Sequence, residues 1–161
     1  MNDFETPVLD NHIHIDPDNG RGIEAVEDFA RAGGTHLIVI NKPSWHLGVE
    51  AEAGEDFRPV FERTLEIVDE ANDVLEGRAW AMLGVHPGCI SQLIGGRGYN
   101  PQEASEIMQE GIDVAAEYVD GEDVLGLKSG RPHWDAPEDV REASNAVMRR
   151  AFEHGADLEC A

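Results

Sequence analysis

Pro7-Val8-Leu9-Asp10-Asn11-His12-Ile13-His14-Ile15-Asp16 carries an apolar run into two histidines two residues apart, and its reading decides the fold. Val8 to Ile15 predicts a β-strand. Side chains along a strand alternate faces, so His12 and His14 project together, with Asp16 following on the same side if the strand persists. Two adjacent imidazoles can fill two positions around a divalent metal, and a nearby carboxylate such as Asp16 can orient an imidazole or join the shell. The alternative is a chance pair at a polar strand end facing water, since the chain has 7 histidines in 161 residues. The position after a hydrophobic strand and before the turn-rich Asp16-Pro17-Asp18-Asn19-Gly20 favours the metal. Zn2+ is the first expectation, with Mn2+ or Mg2+ where oxygen ligands complete the shell.

Outward from this strand the chain alternates regularly. Gly22 to Ala30 has helical period, with Ile23, Val26, Phe29 and Ala30 on one face, and Gly33-Gly34 stops it. Thr35 to Asn41 is a nearly continuous apolar run, expected of a strand covered on both faces. A loop from Lys42 to Gly54 leads to a helix over Asp56 to Leu75, then to a third strand over Ala79 to His86. Pro101 opens a helix through Val119, Asp123 to Lys128 is a fourth strand, and Pro137 opens a helix ending near Phe152. Leu158 to Ala161 is a stub where a fifth strand could begin.

Strands alternating with helices predict an α/β fold with a parallel sheet and right-handed crossovers. A doubly wound open sheet fits this length, whereas a TIM barrel has eight units and usually about 250 residues. Polar residues separate the two. His12, His14, Asn41, Lys42, His86, Lys128, Arg131 and His133 fall at or just beyond strand carboxyl ends, from all four strands. In a barrel those ends converge on one mouth, whereas in an open sheet the crevice lies at a switch point and fewer strands contribute. The expectation is parallel βα units of a TIM-like barrel, about four of the eight present.

Composition sets the surroundings. The chain has 33 Asp plus Glu against 12 Lys plus Arg, a formal net charge of −21. Its 41% hydrophobic content excludes simple disorder, and no block of like charge forms an acidic tail. Acid spread through helices, with lysine nearly absent, indicates a halophilic protein, because at about 1 M salt the Debye length falls to about 3 Å and self-repulsion is screened. Cys89 and Cys160 lack a paired spacing, the first residues lack a secretory pattern, and no apolar stretch approaches the roughly 20 residues that span a bilayer. The chain reads as cytoplasmic with no membrane partner. It offers no basic groove for nucleic acid, and no dinucleotide or phosphate-loop motif occurs in its proper setting.

Among the basic residues only Lys42 and Lys128 are lysines, and both lie at strand carboxyl ends, where a solvated surface role is the less economical reading. Lys42 is a candidate substrate contact. His86, just before Pro87, is placed to bind a phosphoryl oxygen or the attacking water, and Arg131 with His133 to clamp a substrate anion. Neighbouring carboxylates could equally satisfy Arg131. His36 at the far end of strand 2 and His154 on a late helix read as structural, while Trp45 and His46 either line a pocket or cap it.

His12-x-His14-x-Asp16, Gly84-Val85-His86-Pro87 and the strand ending before Gly130 resemble the TatD-type metal-dependent hydrolases of the amidohydrolase superfamily. Gly33-Gly34-Thr35-His36-Leu37, Asn41-Lys42-Pro43-Ser44-Trp45 and Gly130-Arg131-Pro132-His133 resemble its archaeal TatD-related branch. The resemblance implies a TIM-like barrel with one or two divalent metals at the mouth, whose bound water attacks a phosphoester, DNA included, or an amide or lactone. Lys128 aligns where such enzymes carry a metal-bridging Glu. An ammonium has only donors, so the resemblance implies either a carbamylated Lys128 bridging metals or a cationic Lys128 binding phosphate. Either makes Lys128 catalytic, as His86 would be. The further histidines and Asp that the resemblance implies on later strands have no counterpart, so residues 1–161 are expected to be the N-terminal half of the barrel. Its open sheet edges invite self-association. A non-catalytic half-barrel that binds metal or a partner chain is the alternative.

If the acidity is a salt adaptation, lowering KCl from about 2 M to about 0.1 M lengthens the screening distance and lowers the thermal midpoint. A midpoint unchanged or raised at low salt would refute that reading.

Overall fold

A computed structural model describes residues 6–119 and 123–160. The strands are β1 (Leu9–Ile13), β2 (His36–Ile40), β3 (Ala79–Leu83) and β4 (Val124–Leu127). The helices are α1 (Ile23–Arg31), α2 (Arg58–Leu75), the single turn α3 (Cys89–Ser91), α4 (Pro101–Ala116) and α5 (Glu138–Asp157). All strand pairings are parallel, in the order β1-β2-β3-β4. Consecutive strands as neighbours are the order of a barrel wall, whereas a doubly wound sheet reverses at a switch point. The fold is therefore an α/β sheet of four consecutive barrel-type units.

Right-handed crossovers between consecutive strands bring every helix to the same side of the sheet. Burial follows from that. Leu37 and Val39 of β2, and Ala79, Ala81 and Leu83 of β3, are buried against α2 and its neighbours. The alternate residues Ile38, Trp80 and Met82 are only partly covered, and Leu125 of β4 is exposed. The apolar run of β2 suggested cover on both faces. It is covered fully on one face and in part on the other, where Ile38 is half-buried and Ile40 buried, because hydrophobicity marks a face without supplying a whole partner layer.

Local chemistry sets the helix limits. Asn100 caps α4 by accepting from Glu103 N–H at 3.0 Å, Glu103 returns the bond to Asn100 N–H at 2.9 Å, and Pro101 occupies the first turn. Helix α5 runs on to Asp157, past the expected end near Phe152. Asp113 of α4 accepts from Arg150 Nε at 2.6 Å and His154 Nε2 at 2.7 Å and so ties down its last turns. Residues 158 and 159 then form a turn, so the expected fifth strand is not present among the described residues. The loop after β2 contains a 3-10 turn at Ser44–Leu47, and a π turn at Gln92–Gly96 follows α3.

The core between sheet and helices centres on Phe61, Leu75, Met108 and Ile112, all at most 1% exposed. Gly111 of α4 makes part of this packing. A Cβ there would lie 2.6 Å from the Phe57 ring and 2.6 Å from Val85. Alanine normally favours a helix over glycine by about 1 kcal/mol, but the overlap costs about 1–3 kcal/mol. Gly111→Ala is therefore expected to lower the thermal midpoint, and an equal or higher midpoint would show that the contact yields freely.

Candidate active site

Strand β1 stops at Ile13, with a register irregularity between Asp10 and Ile13. His12 lies on the strand and His14 one residue beyond it, yet their rings still meet edge to face, with centroids 5.4 Å apart. His14 Nδ1 lies 2.8 Å from the carbonyl oxygen of Ile40. A carbonyl only accepts, so Nδ1 carries the proton and the Nε2 lone pair is left free to ligate. Partial burial pushes the His14 pKa down, and the positive charges of Lys128, His12 and Lys42 push the same way.

His86 follows β3 and has the opposite tautomer. Its Nδ1 accepts from Gly88 N–H at 3.0 Å, so the neutral ring carries its proton on Nε2. Trp45 stands edge-on to it, with centroids 5.5 Å apart. Burial first, then Lys128, His14, His133 and His46, push the His86 pKa down to about 4, so the ring is neutral at ordinary pH. Lys128 closes the cluster. Burial lowers its pKa to about 8, and among the described residues no carboxylate pairs with it. His14 is thus a metal-ligand type and His86 a donor type, although both are histidines at strand ends.

The other candidates are placed differently. Asp16 forms an ion pair with Lys42 and accepts from the backbone N–H of Asp18 at 3.1 Å and Asn19 at 3.0 Å. The Lys42 hydrogen bond, helped by Asn19, holds its carboxyl at about 2. It therefore holds the turn after β1 and neutralises Lys42, and it makes no hydrogen bond to His12 or His14. Arg131 donates through Nε to Asn145 on α5 at 2.7 Å. His133 is exposed within electrostatic reach of His86, and the neighbouring Trp134 donates to Ser91 Oγ at 3.1 Å. His36 stacks on Trp80 at 6.0 Å. Burial pushes the Cys89 thiol up to about 12, which leaves it inert.

The donor set fits a metal in part. His12 and the free Nε2 of His14 can occupy two positions, but among the described residues no group of three or more His, Cys, Asp or Glu could hold an ion. Further positions would fall to water, substrate or another segment. The arrangement unites an imidazole pair with a hydrogen-bond donor and an amine that no carboxylate pairs among the described residues. It suits a divalent ion together with an anion.

The family described as TatD related DNase matches residues 9–161. An uncharacterized protein, MJ1127 of Methanocaldococcus jannaschii, is 33% identical over 158 residues, covering 96% of this chain and 53% of that protein. The chain thus spans about half the length of the curated relative it matches. A solved GH5_18 variant from Streptomyces cattleya, in complex with Manb1-4GlcNAc, is 17% identical with a TM-score of 0.49, covering 92% of this chain and 41% of that one.

The low His86 pKa has a signed consequence. Between its ordinary 6.5 and about 4 the unfolded chain takes up a proton that the folded chain refuses. The stability carried by the neutral ring is therefore present above pH 6.5 and lost as pH falls through about 4. In chelator, the stability of His86→Gln should fall less steeply than wild type across this window. Superimposable pH curves would contradict the placement.

Proposed function

We propose, on the premise that the chain belongs to the TatD-related DNase family, that His12 and His14 hold a divalent metal used to hydrolyse a phosphoester. The observation that carries this reading is the His14 tautomer: Ile40 takes the Nδ1 proton and leaves Nε2 free beside His12. A bound Zn2+, or Mn2+ or Mg2+, supplies Lewis acidity and a water of lowered pKa. His86, neutral and protonated at Nε2, donates to a phosphoryl oxygen. Lys128 stays cationic and neutralises the same group. The buried amine, with no carboxylate partner among the described residues, fits that role, and a metal-bridging carbamate is the alternative. His133 lies near enough to add a further contact, while Lys42 and Arg131 are engaged by Asp16 and Asn145. DNA is the substrate class that the family name supplies, with small phosphoesters, amides and lactones as the other candidates.

A second reading is favoured by the two-position donor set and the uncovered sheet face. In it, residues 1–161 are about half of a longer barrel and bind metal or a partner without turnover. Pairing along the open edges of β1 and β4, with a second copy of the chain or with a further segment, would then complete the site. No helix among the described residues is long and apolar enough to cross a membrane, and the acid excess supports a salt-rich cytoplasm as the setting.

Calorimetry in molar KCl tests the metal. Zinc should bind the wild-type chain, and His12→Ala or His14→Ala should each weaken it by about tenfold or more. Equal affinities would end the proposal. Metal-dependent hydrolysis of a simple phosphodiester and of single-stranded DNA separates the two readings. Binding without turnover supports the half-site. Turnover lost in His12→Ala shows that the chain completes its own site, in copies or alone.

A further inference from the structure

Strands β2 and β3 last pair at Ile40 and Met82, and beyond Ile40 the chain turns away through Lys42-Pro43. Gly84, two residues past Met82, is buried, and its backbone groups need partners on that side. The Asn41 side chain supplies both. Its Oδ1 accepts from Gly84 N–H at 2.9 Å, and its Nδ2 donates to Gly84 C=O at 2.9 Å and to Lys42 C=O at 3.1 Å. A side-chain amide carries the same donor and acceptor as a peptide, so Asn41 adds one rung to the ladder after the strand has ended. It is 2% exposed.

On its other flank Gly84 abuts the end of β4. A Cβ at Gly84 would lie 1.9 Å from the carbonyl oxygen of Lys128, and Lys128 N–H donates to Leu83 C=O at 2.7 Å. Asn41, Gly84 and Lys128 therefore form a row across three strand ends, and the site hangs from that row. The Ile40 carbonyl that orients His14 immediately precedes Asn41, and His86 lies two residues past Gly84.

We propose that Asn41 is a positioning residue whose amide sets the spacing of His14, His86 and Lys128 at the strand ends. This rests on the reading that those three side chains serve one site. The competing role, a buried amide that only satisfies backbone, has an internal control. Asn72 bridges Ala79 at the opposite end of β3 in the same way, accepting from its N–H at 2.7 Å and donating to its C=O at 3.0 Å.

The test compares Asn41→Ala with Asn72→Ala in the full chain, metal-free and in molar KCl, by proton–nitrogen correlation of the imidazole rings, followed by zinc calorimetry. Both variants should lose thermal stability to a similar degree. Only Asn41→Ala should shift or split the His14 and His86 ring signals and weaken zinc by about tenfold or more. Ring signals that respond alike in the two variants would overturn the proposal, whatever zinc does. If Asn41→Ala does not fold, the isosteric Asn41→Asp keeps the acceptor for Gly84 N–H, loses both donors and carries the same comparison. If the wild-type chain binds no zinc, the metal reading of the preceding section falls, while the ring signals still decide the role of Asn41.

Discussion

Parallel pairing of consecutive strands constrains everything else in this structure. A strand can return parallel to its neighbour only through a crossover, and a right-handed crossover repeated in one direction stacks every helix on one face. Two consequences follow together. Small residues, Ala79 and Ala81, bury under α2 and leave room for the helix to sit close, while the opposite face keeps the larger Trp80 and Met82. All carboxyl ends also point the same way, so residues as far apart in sequence as His14, His86 and Lys128 share one edge of the sheet. The site is a product of strand direction before it is a product of any particular side chain.

Charge at that edge runs against the rest of the molecule. The chain carries a formal charge of −21, yet the charged groups acting on His86 are imidazoles and an amine, while Asp16 is bound by Lys42 and its own turn. Burial then determines how these bases behave. It makes the neutral ring of His86 the stable form and draws the amine of Lys128 toward neutrality, so the cluster avoids the mutual repulsion of several full cations. An arriving cation or anion changes that balance, because a metal needs neutral imidazole and a phosphoryl group favours the protonated amine. In about 1 M salt, where distant charge is screened within about 3 Å, only contacts this close retain their strength.

Periodicity made the element order, the parallel sheet and the same-side pair His12 and His14 legible, because faces and turns leave a repeating mark in sequence. It failed where partners are backbone atoms. Nothing in the spacing announces that Ile40 C=O takes the Nδ1 proton of His14, or that Gly88 N–H fixes the other tautomer in His86. Asp16 looked like an extension of the strand pattern, but β1 ends at Ile13 and the carboxylate folds back into its own turn. Arg131 looked mouth-facing by position, yet it reaches Asn145 of a helix that sequence alone placed only roughly. Trp45, read as lining a pocket or capping it, stands against His86 from a loop whose path no period describes.

The uncovered face of the sheet links stability to the site. Register sets Ile38 beside Trp80, both only partly covered, and Met82 beside Ile40, which is already buried, so large side chains lie in rows across neighbouring strands, the arrangement that fills a barrel interior in layers. These rows lie directly beneath the strand ends that hold His14 and His86. Whatever covers them removes apolar surface from water, at about 25 cal/mol per Å2, and also limits how far the strand ends can splay. A two-position metal site tolerates such splay because water can follow the ion. A site that must hold an attacking water in line with a leaving oxygen does not, since misplacement of about 1 Å can cost about a hundredfold in rate. The same surface that governs how firmly this sheet is held therefore governs how closely the strand ends beside His14 and His86 are held to one geometry.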